Sequence, residues 1–183
     1  MECYSASMQG SSNSRIILAG EGDLAAVQSL WDEYWGAFAL PADFQNFSDE
    51  SRTLPGAYAL PKGRLLLALV GDSPAGTAAL RPLGEFACEA KRMYVRPAYR
   101  GQGIATSLLE RLVKEARGAG YKEMYGDTLK TMGAALEWYF RLGFREVGPY
   151  SPNPTPDAIY LRLSLTDESR PSLPKLQSSW NSG

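Results

Sequence analysis

The 183-residue chain contains no histidine. That absence removes Ser-His and Cys-His nucleophilic systems and every histidine-ligated metal site. Any proton moved at neutral pH must travel through carboxylates, tyrosine, lysine, cysteine or water. Cysteine is scarce too, with Cys3 and Cys88 the only two. Cys3 sits in a polar terminal stretch, so no structural disulfide is expected. Cys88 has no histidine to activate it and reads as a small buried hydrophobe. No apolar run approaches the roughly 18 residues of a membrane span. The first residues lack the charged-then-apolar order of a signal peptide. Excess charge of one sign is also missing: Lys+Arg number 19 and Asp+Glu 20, a net charge of −1. Neither nucleic acid nor a membrane is expected as a partner. The expectation is a soluble cytoplasmic protein.

Hydrophobic residues make up 44% and charged residues 21%, enough apolar side chain for one ordinary globular core. Residues 1–14 are polar and Ser-rich and are expected to be disordered. Residues 166–183 mix Ser, Pro and charge and are expected to form a flexible tail. The folded domain is therefore expected at 15–165. No internal repeat is visible.

Within that domain a short strand is expected at 15–19. Gly22-Asp23 supplies a helix cap. Leu24, Val27, Trp31, Tyr34 or Trp35, and Phe38 follow at helical spacing until Pro41. Residues 42–54 suggest a second short helix carrying Phe44, Phe47 and Leu54. Arg64–Val70 is an apolar strand, a turn is expected at 71–76, and 77–83 is the returning strand of a hairpin. A long strand follows at 86–95. Ile104, Leu108, Leu109, Leu112, Val113 and Ala116 make one helix face, ended by Gly118 and Gly120. A strand at 121–129, a helix at 132–142 stopped by Gly143, and strands at 144–147 and 159–165 complete the order. Hairpins followed by a β-α-β-α-β section predict an α/β (α+β) fold with a mixed, mostly antiparallel sheet and helices on both faces.

The most informative stretch joins the 86–95 strand to the following helix and reads Arg100-Gly101-Gln102-Gly103-Ile104-Ala105. Glycines at a strand-to-helix turn let backbone approach a ligand closely. The unpaired amides of the helix start then offer it partial positive charge, as in a phosphate cradle. A plain helix start with two strained positions would also use glycines. A P-loop is excluded, since no Gly-x-x-x-x-Gly-Lys-Ser/Thr occurs. A dinucleotide fingerprint fits poorly because Thr106 stands where the third glycine belongs, and the turn follows hairpins instead of opening a βαβ repeat.

Arg100-x-x-Gly103-x-Ala105 after Met93-Tyr94-Val95 resembles motif A of the GNAT superfamily of N-acetyltransferases. Ala135-Leu136-Glu137-Trp138-Tyr139-Phe140-Arg141-Leu142-Gly143-Phe144 resembles that family's Ala-x-x-x-Tyr-x-x-x-Gly-Phe segment. The two lie in the right order and spacing, and the likeness spans about 15–165.

The resemblance implies a sheet of about six to seven strands, splayed between the fourth and fifth. It implies acetyl-CoA as cosubstrate and no metal. The pantetheine arm would lie along Met93, Tyr94 and Val95. The pyrophosphate would sit on the amides of Arg100, Gly101, Gln102, Gly103, Ile104, Ala105 and Thr106. The family often has Asn at the position held by Met132, a contact that Thr131 would have to replace. Tyr139 would protonate the leaving thiolate; its other reading is a core aromatic packed with Leu136 and Phe140.

The acceptor would be the primary amine of a small molecule or peptide. Such an amine is only about 1 part in 2,500 neutral at pH 7 and must lose a proton before attack. Without histidine, the best placed base is Glu89, with water or Glu85 as alternatives. Regular alternation puts Glu89, Lys91, Met93 and Val95 on one face of the strand. Glu89 also reads as an ordinary carboxylate paired with Lys91 or Arg92. The acceptor site is expected among Trp31, Tyr34, Trp35, Phe38, Phe44 and Phe47, aromatics whose commoner role is core, with the proline-rich loop at 150–157 as a wall. The alternative function is a CoA-binding sensor or interaction module without turnover. A homodimer is compatible with the resemblance.

Overall fold

The computed structural model of the chain describes residues 14–37, 47–151 and 157–166. Apart from Ser14 and Thr166, the segments expected to be disordered lie outside these residues. So do Cys3, Phe38, Pro41, Phe44 and residues 152–156 of the proline-rich loop. The chain runs β1 (Ser14–Leu18), α1 (Leu24–Ala37), α2 (Phe47–Arg52), β2 (Arg64–Val70), β3 (Ser73–Pro82), β4 (Ala87–Val95), α3 (Ile104–Gly118), β5 (Glu123–Leu129), α4 (Gly133–Arg141), β6 (Arg145–Val147) and β7 (Ala158–Ser164). The strands form one 7-stranded sheet in the order β1-β2-β3-β4-β5-β7-β6. Every neighbouring pair is antiparallel except β4–β5.

The hairpin turn is tighter than the expected 71–76. Val70 already pairs with Ser73, so only Gly71-Asp72 turn, with Gly71 at φ 59°. Pro74 is tolerated in β3 because pairing with β4 begins only at Gly76, leaving no demand for an amide donor on that side. Gly76 itself is required by closeness: a Cβ there would stand 2.6 Å from the Tyr94 carbonyl oxygen.

The sheet separates two cores. Leu66 and Ala68 of β2 face the core under α3 and α4, while Leu65, Leu67 and Leu69 face the core under α1 and α2. A strand covered on both faces has no polar side to show, hence the unbroken apolar run. In α1 the buried residues are Val27, Leu30, Trp31 and Trp35. Leu30 fell outside the stripe read from the sequence and is fully buried. Trp35 stacks on Phe47 with ring centroids 3.9 Å apart, and Trp31 meets Tyr58 edge-on at 5.6 Å. These aromatics are core, each burial stabilising by about 1.5–3 kcal/mol. Arg64 Nε and Arg111 Nε both reach Glu115, at 2.8 Å each, tying β2 to α3.

The β3–β4 ladder carries a bulge: Thr77 pairs with Tyr94, yet Ala79 pairs with Lys91. The extra residue bends the strand, and Arg92 takes a left-handed φ of 56°. That conformation costs roughly 1–2 kcal/mol for a residue with a Cβ. The bulge shifts the side-chain alternation. Met93 and Val95, expected on the Glu89 face, pack instead with Cys88 and Ala90 on the α3–α4 side, and Tyr94 joins the α1 core.

Candidate functional site

The parallel pairing of β4 with β5 holds only at Ala87–Glu123, Cys88–Met124 and Glu89–Tyr125. Beyond that, β4 continues on β3 as far as Val95, and β5 continues on β7 as far as Leu129. The sheet therefore opens into a V, and among the described residues the β5-facing edge of β4 from Ala90 to Val95 has no strand partner. Met93, Tyr94 and Val95 lie on this edge.

At the end of β4 a 3-10 turn, Pro97–Tyr99, leads into the glycine turn. Gly101 and Gly103 adopt φ 76° and 79°, conformations that favour glycine. An added Cβ at either would meet nothing within 4 Å, so backbone shape and not crowding selects glycine. Gly103 is the N-cap of α3, and the Ser107 amide donates to the Gly103 carbonyl at 3.0 Å. The preceding amides of Ile104, Ala105 and Thr106 have no intrahelical acceptor and sit at the positive end of the helix dipole. This open, amide-rich turn fits a pyrophosphate.

Arg100 has a different place in the turn. Its amide donates to the Pro97 carbonyl at 3.2 Å and its Nε donates to the Val95 carbonyl at 3.1 Å. Gln102 Nε2 donates to the Ala98 carbonyl at 3.4 Å. Both side chains brace the loop. Sequence reasoning missed Arg96, which anchors it. Arg96 grips Glu33 of α1 through Nε at 2.9 Å and Nη2 at 2.7 Å, and its Nη1 donates to the Pro74 carbonyl at 2.6 Å. The Arg96 guanidinium holds the Glu33 carboxyl below its usual range. The partners are 63 residues apart, with no sequence signal to join them.

Tyr139 of α4 meets β4 across the opening. Its hydroxyl is 3.9 Å from Met93 Sδ, a weak acceptor. Its ring packs edge-on against Trp138 at 4.9 Å and Phe144 at 5.2 Å, whereas Phe140 is exposed. Burial, then the neighbourhood of Tyr34 and the charge of Asp127, push the Tyr139 phenol up, so it keeps its proton at neutral pH. At the start of α4, Thr128 Oγ1 contacts Met132 Sδ at 3.8 Å, while Thr131 is exposed.

Glu89 sits at the apex of the V and its side chain is 0% exposed. Arg81 Nε donates to its Oε2 at 2.6 Å, and Lys91 Nζ reaches Oε1 at 3.3 Å. The Tyr150 hydroxyl donates to Oε1 at 3.1 Å. Arg92 does not pair with Glu89. Its guanidinium lies among Trp31, Trp35 and Phe47, 5.3–5.9 Å from their ring centres, and pairs with Glu50 of α2, which also accepts from the Tyr58 hydroxyl. Cys88, beside Glu89, donates weakly to the Glu123 carbonyl at 3.5 Å, and burial pushes its thiol up to about 12. At neutral pH it is a thiol and a poor nucleophile. Among the described residues, no group of three or more Cys, Asp or Glu side chains is placed to hold a metal, and no helix is long and apolar enough to cross a membrane.

A sheet split at its one parallel pair, an amide-lined helix start on one strand and a protonated tyrosine facing the split define an acyltransferase. The chain belongs to the Acetyltransferase (GNAT) family, which matches residues 24–144. It is 35% identical over 146 residues to an uncharacterized N-acetyltransferase of Schizosaccharomyces pombe, covering 79% of this chain and 90% of that protein. It is similar in fold to an acetyltransferase from Streptococcus agalactiae, with a TM-score of 0.71 at 19% identity, over 83% of this chain and 98% of the other. It is also similar in fold to YncA, a putative acetyltransferase from Salmonella typhimurium solved with its cofactor acetyl-CoA. That TM-score is 0.61 at 21% identity, over 87% of this chain and 98% of the other.

Proposed function

We propose that the chain moves an acetyl group from acetyl-CoA to a primary amine of a small molecule or peptide by direct attack of the neutral amine. The observation that carries this reading is the opening of β4 from β5 beyond Glu89–Tyr125, flanked by the Gly101–Gly103 turn and by Tyr139. Acetyl-CoA supplies the activated thioester. The unpartnered edge at Met93, Tyr94 and Val95 would hold the pantetheine arm. The amides from Gly101 to Thr106 would hold the pyrophosphate, with Arg100 bracing the turn. Attack forms the N–C bond and breaks C–S; the Tyr139 hydroxyl gives its proton to the departing sulfur and is reprotonated by the N–H proton the nitrogen sheds as it becomes an amide. Glu89 is the proposed base for the acceptor's ammonium.

The test is thiol release from acetyl-CoA across a panel of amines, backed by melting curves with CoA. A micromolar site stabilises by about 2.7 kcal/mol at a hundredfold excess of ligand. No melting shift with CoA at hundreds of micromolar overturns the reading. One observation favours a binding-only module of the same fold: Glu89 is closed in by two cations and is not exposed to the cleft. In that case CoA raises the melting temperature, yet no amine releases thiol.

A further inference from the structure

Glu89 poses a problem of access. If it is the base of the proposed transfer, a proton must reach a carboxylate whose side chain is 0% exposed. Among the described residues three groups contact that carboxylate: Arg81 Nε at 2.6 Å, Lys91 Nζ at 3.3 Å and the Tyr150 hydroxyl at 3.1 Å. A guanidinium and an ammonium carry donors but no acceptor lone pair, whereas a hydroxyl carries both. Only the tyrosine can take a proton on one side while giving one up on the other.

We propose that Tyr150 is a catalytic residue that relays the acceptor's proton to Glu89. The inference rests on acetyl transfer with Glu89 as base. In the step, an N–H bond of the acceptor ammonium breaks and its electron pair stays on nitrogen. The Tyr150 oxygen takes that proton as its own O–H proton passes to Glu89 Oε1. The products are a neutral amine, a neutral phenol and a carboxylic acid, so no phenolate forms.

The surroundings suit this role. The Tyr150 ring is held between Tyr125 of β5 at 5.0 Å and Tyr160 of β7 at 5.4 Å, which fixes where the hydroxyl points. Burial, then the charges of Glu89 and Asp127, push the Tyr150 phenol up, so the proton to be handed on is present at neutral pH. Asp127 stands two residues beyond Tyr125 on β5, past the last pair with β4 and opposite Tyr160. Its charge also acts on Tyr139. Arg81 and Lys91 pair with the same carboxylate and hold it in place beside the hydroxyl.

Tyr150→Phe keeps the ring packing and removes only the hydroxyl. It is assayed with the best alkylamine of the panel, protonated at pH 7, and with aniline or hydroxylamine, both largely neutral at pH 7. For the alkylamine, kcat/KM should fall by about 10²-fold or more, and for the neutral nucleophile by no more than about threefold. CoA should shift the melting temperature of the variant as it does the parent. Glu89→Gln should show the same acceptor dependence, and the double variant should be no worse than the worse single one. An equal loss with both acceptors overturns the relay, since it marks a positioning role. Absence of loss overturns it too. If Glu89→Gln then still loses the alkylamine selectively, the base assignment survives without Tyr150; if it does not, the base assignment falls as well.

Discussion

On the proposed reading, the cofactor side of the cleft is made of backbone, and the acceptor side is made of side chains. On the first side the working parts are a free strand edge and the amides of a helix start, shaped by two left-handed glycines. On the second they are Glu89, Tyr150, Arg81 and Lys91, with the Arg92–Glu50–Tyr58 group behind them. A backbone site tolerates changes of side chain and binds one ligand in one way. A side-chain site can be rebuilt by single substitutions, which suits the side on which acceptors differ. Even the surroundings differ: the glycine turn is anchored by one bidentate ion pair at the surface, while the α1-facing side of β4 carries a guanidinium buried among three aromatic rings.

If the two sides are independent, variants should separate them. The largest effect is expected for Arg92→Ala, which leaves Glu50 enclosed with only the Tyr58 hydroxyl. Breaking a buried pair costs about 3–5 kcal/mol, a large part of a domain's stability. Thermal unfolding should show it, with the remaining folded protein still stabilised by CoA. A variant that melts like the parent would mean that this core does not support the acceptor wall. Next comes Tyr139→Phe, for which kcat should fall by about 10²–10⁴-fold with CoA binding unchanged. Loss of CoA binding in that variant would place Tyr139 in the cofactor side instead.

Gly103→Ala should be milder, about 1–2 kcal/mol from the left-handed backbone. It should shrink the CoA melting shift without changing the order in which amines are preferred; a changed order would join the two sides. The smallest effect lies away from the cleft. Burial alone would raise the Glu115 carboxyl, but the hydrogen bonds from Arg64 and Arg111 outweigh it and hold the carboxyl below its ordinary value of 4.5. A depressed folded value gives stability that is present above about 4.5 and lost as pH falls through the folded value. Acid titration of the melting temperature should show a steeper fall in the parent than in Glu115→Gln.

The glycine turn and the start of α3 were readable in the sequence because their signals are local. Glycine is favoured where φ is positive, as at 101 and 103, and the helix face Ile104, Leu108, Leu112 announces where α3 starts. β2 was readable end to end because both its faces are covered. The surroundings of Glu89 and Arg92 were not readable, because their contacts join residues far apart in the chain: Tyr150 with Glu89, 61 residues away, and Arg92 with Glu50, 42 away. No periodicity encodes such pairs. The aromatic run of α1 gave its spacing but not its depth, so Trp31 and Trp35 read as either pocket or core, and burial makes them core. The bulge escaped for a different reason. Alternation is a rule for regular strands, and nothing in Lys91-Arg92-Met93 announces that one residue is extra.

That extra residue gives β4 two separately adjustable halves. Residues before Arg92 and those after it no longer share one parity, so a substitution at 89 or 91 is felt on the α1 face, while Met93 and Val95 stay on the other. Along a lineage, such a strand can diverge toward new amines without relearning how to hold its donor. The one change it cannot absorb is a straightening of the bulge with every residue kept, which would swap the two faces downstream and turn Tyr94 away from the α1 core; deletion of residue 92 would leave both faces as they are.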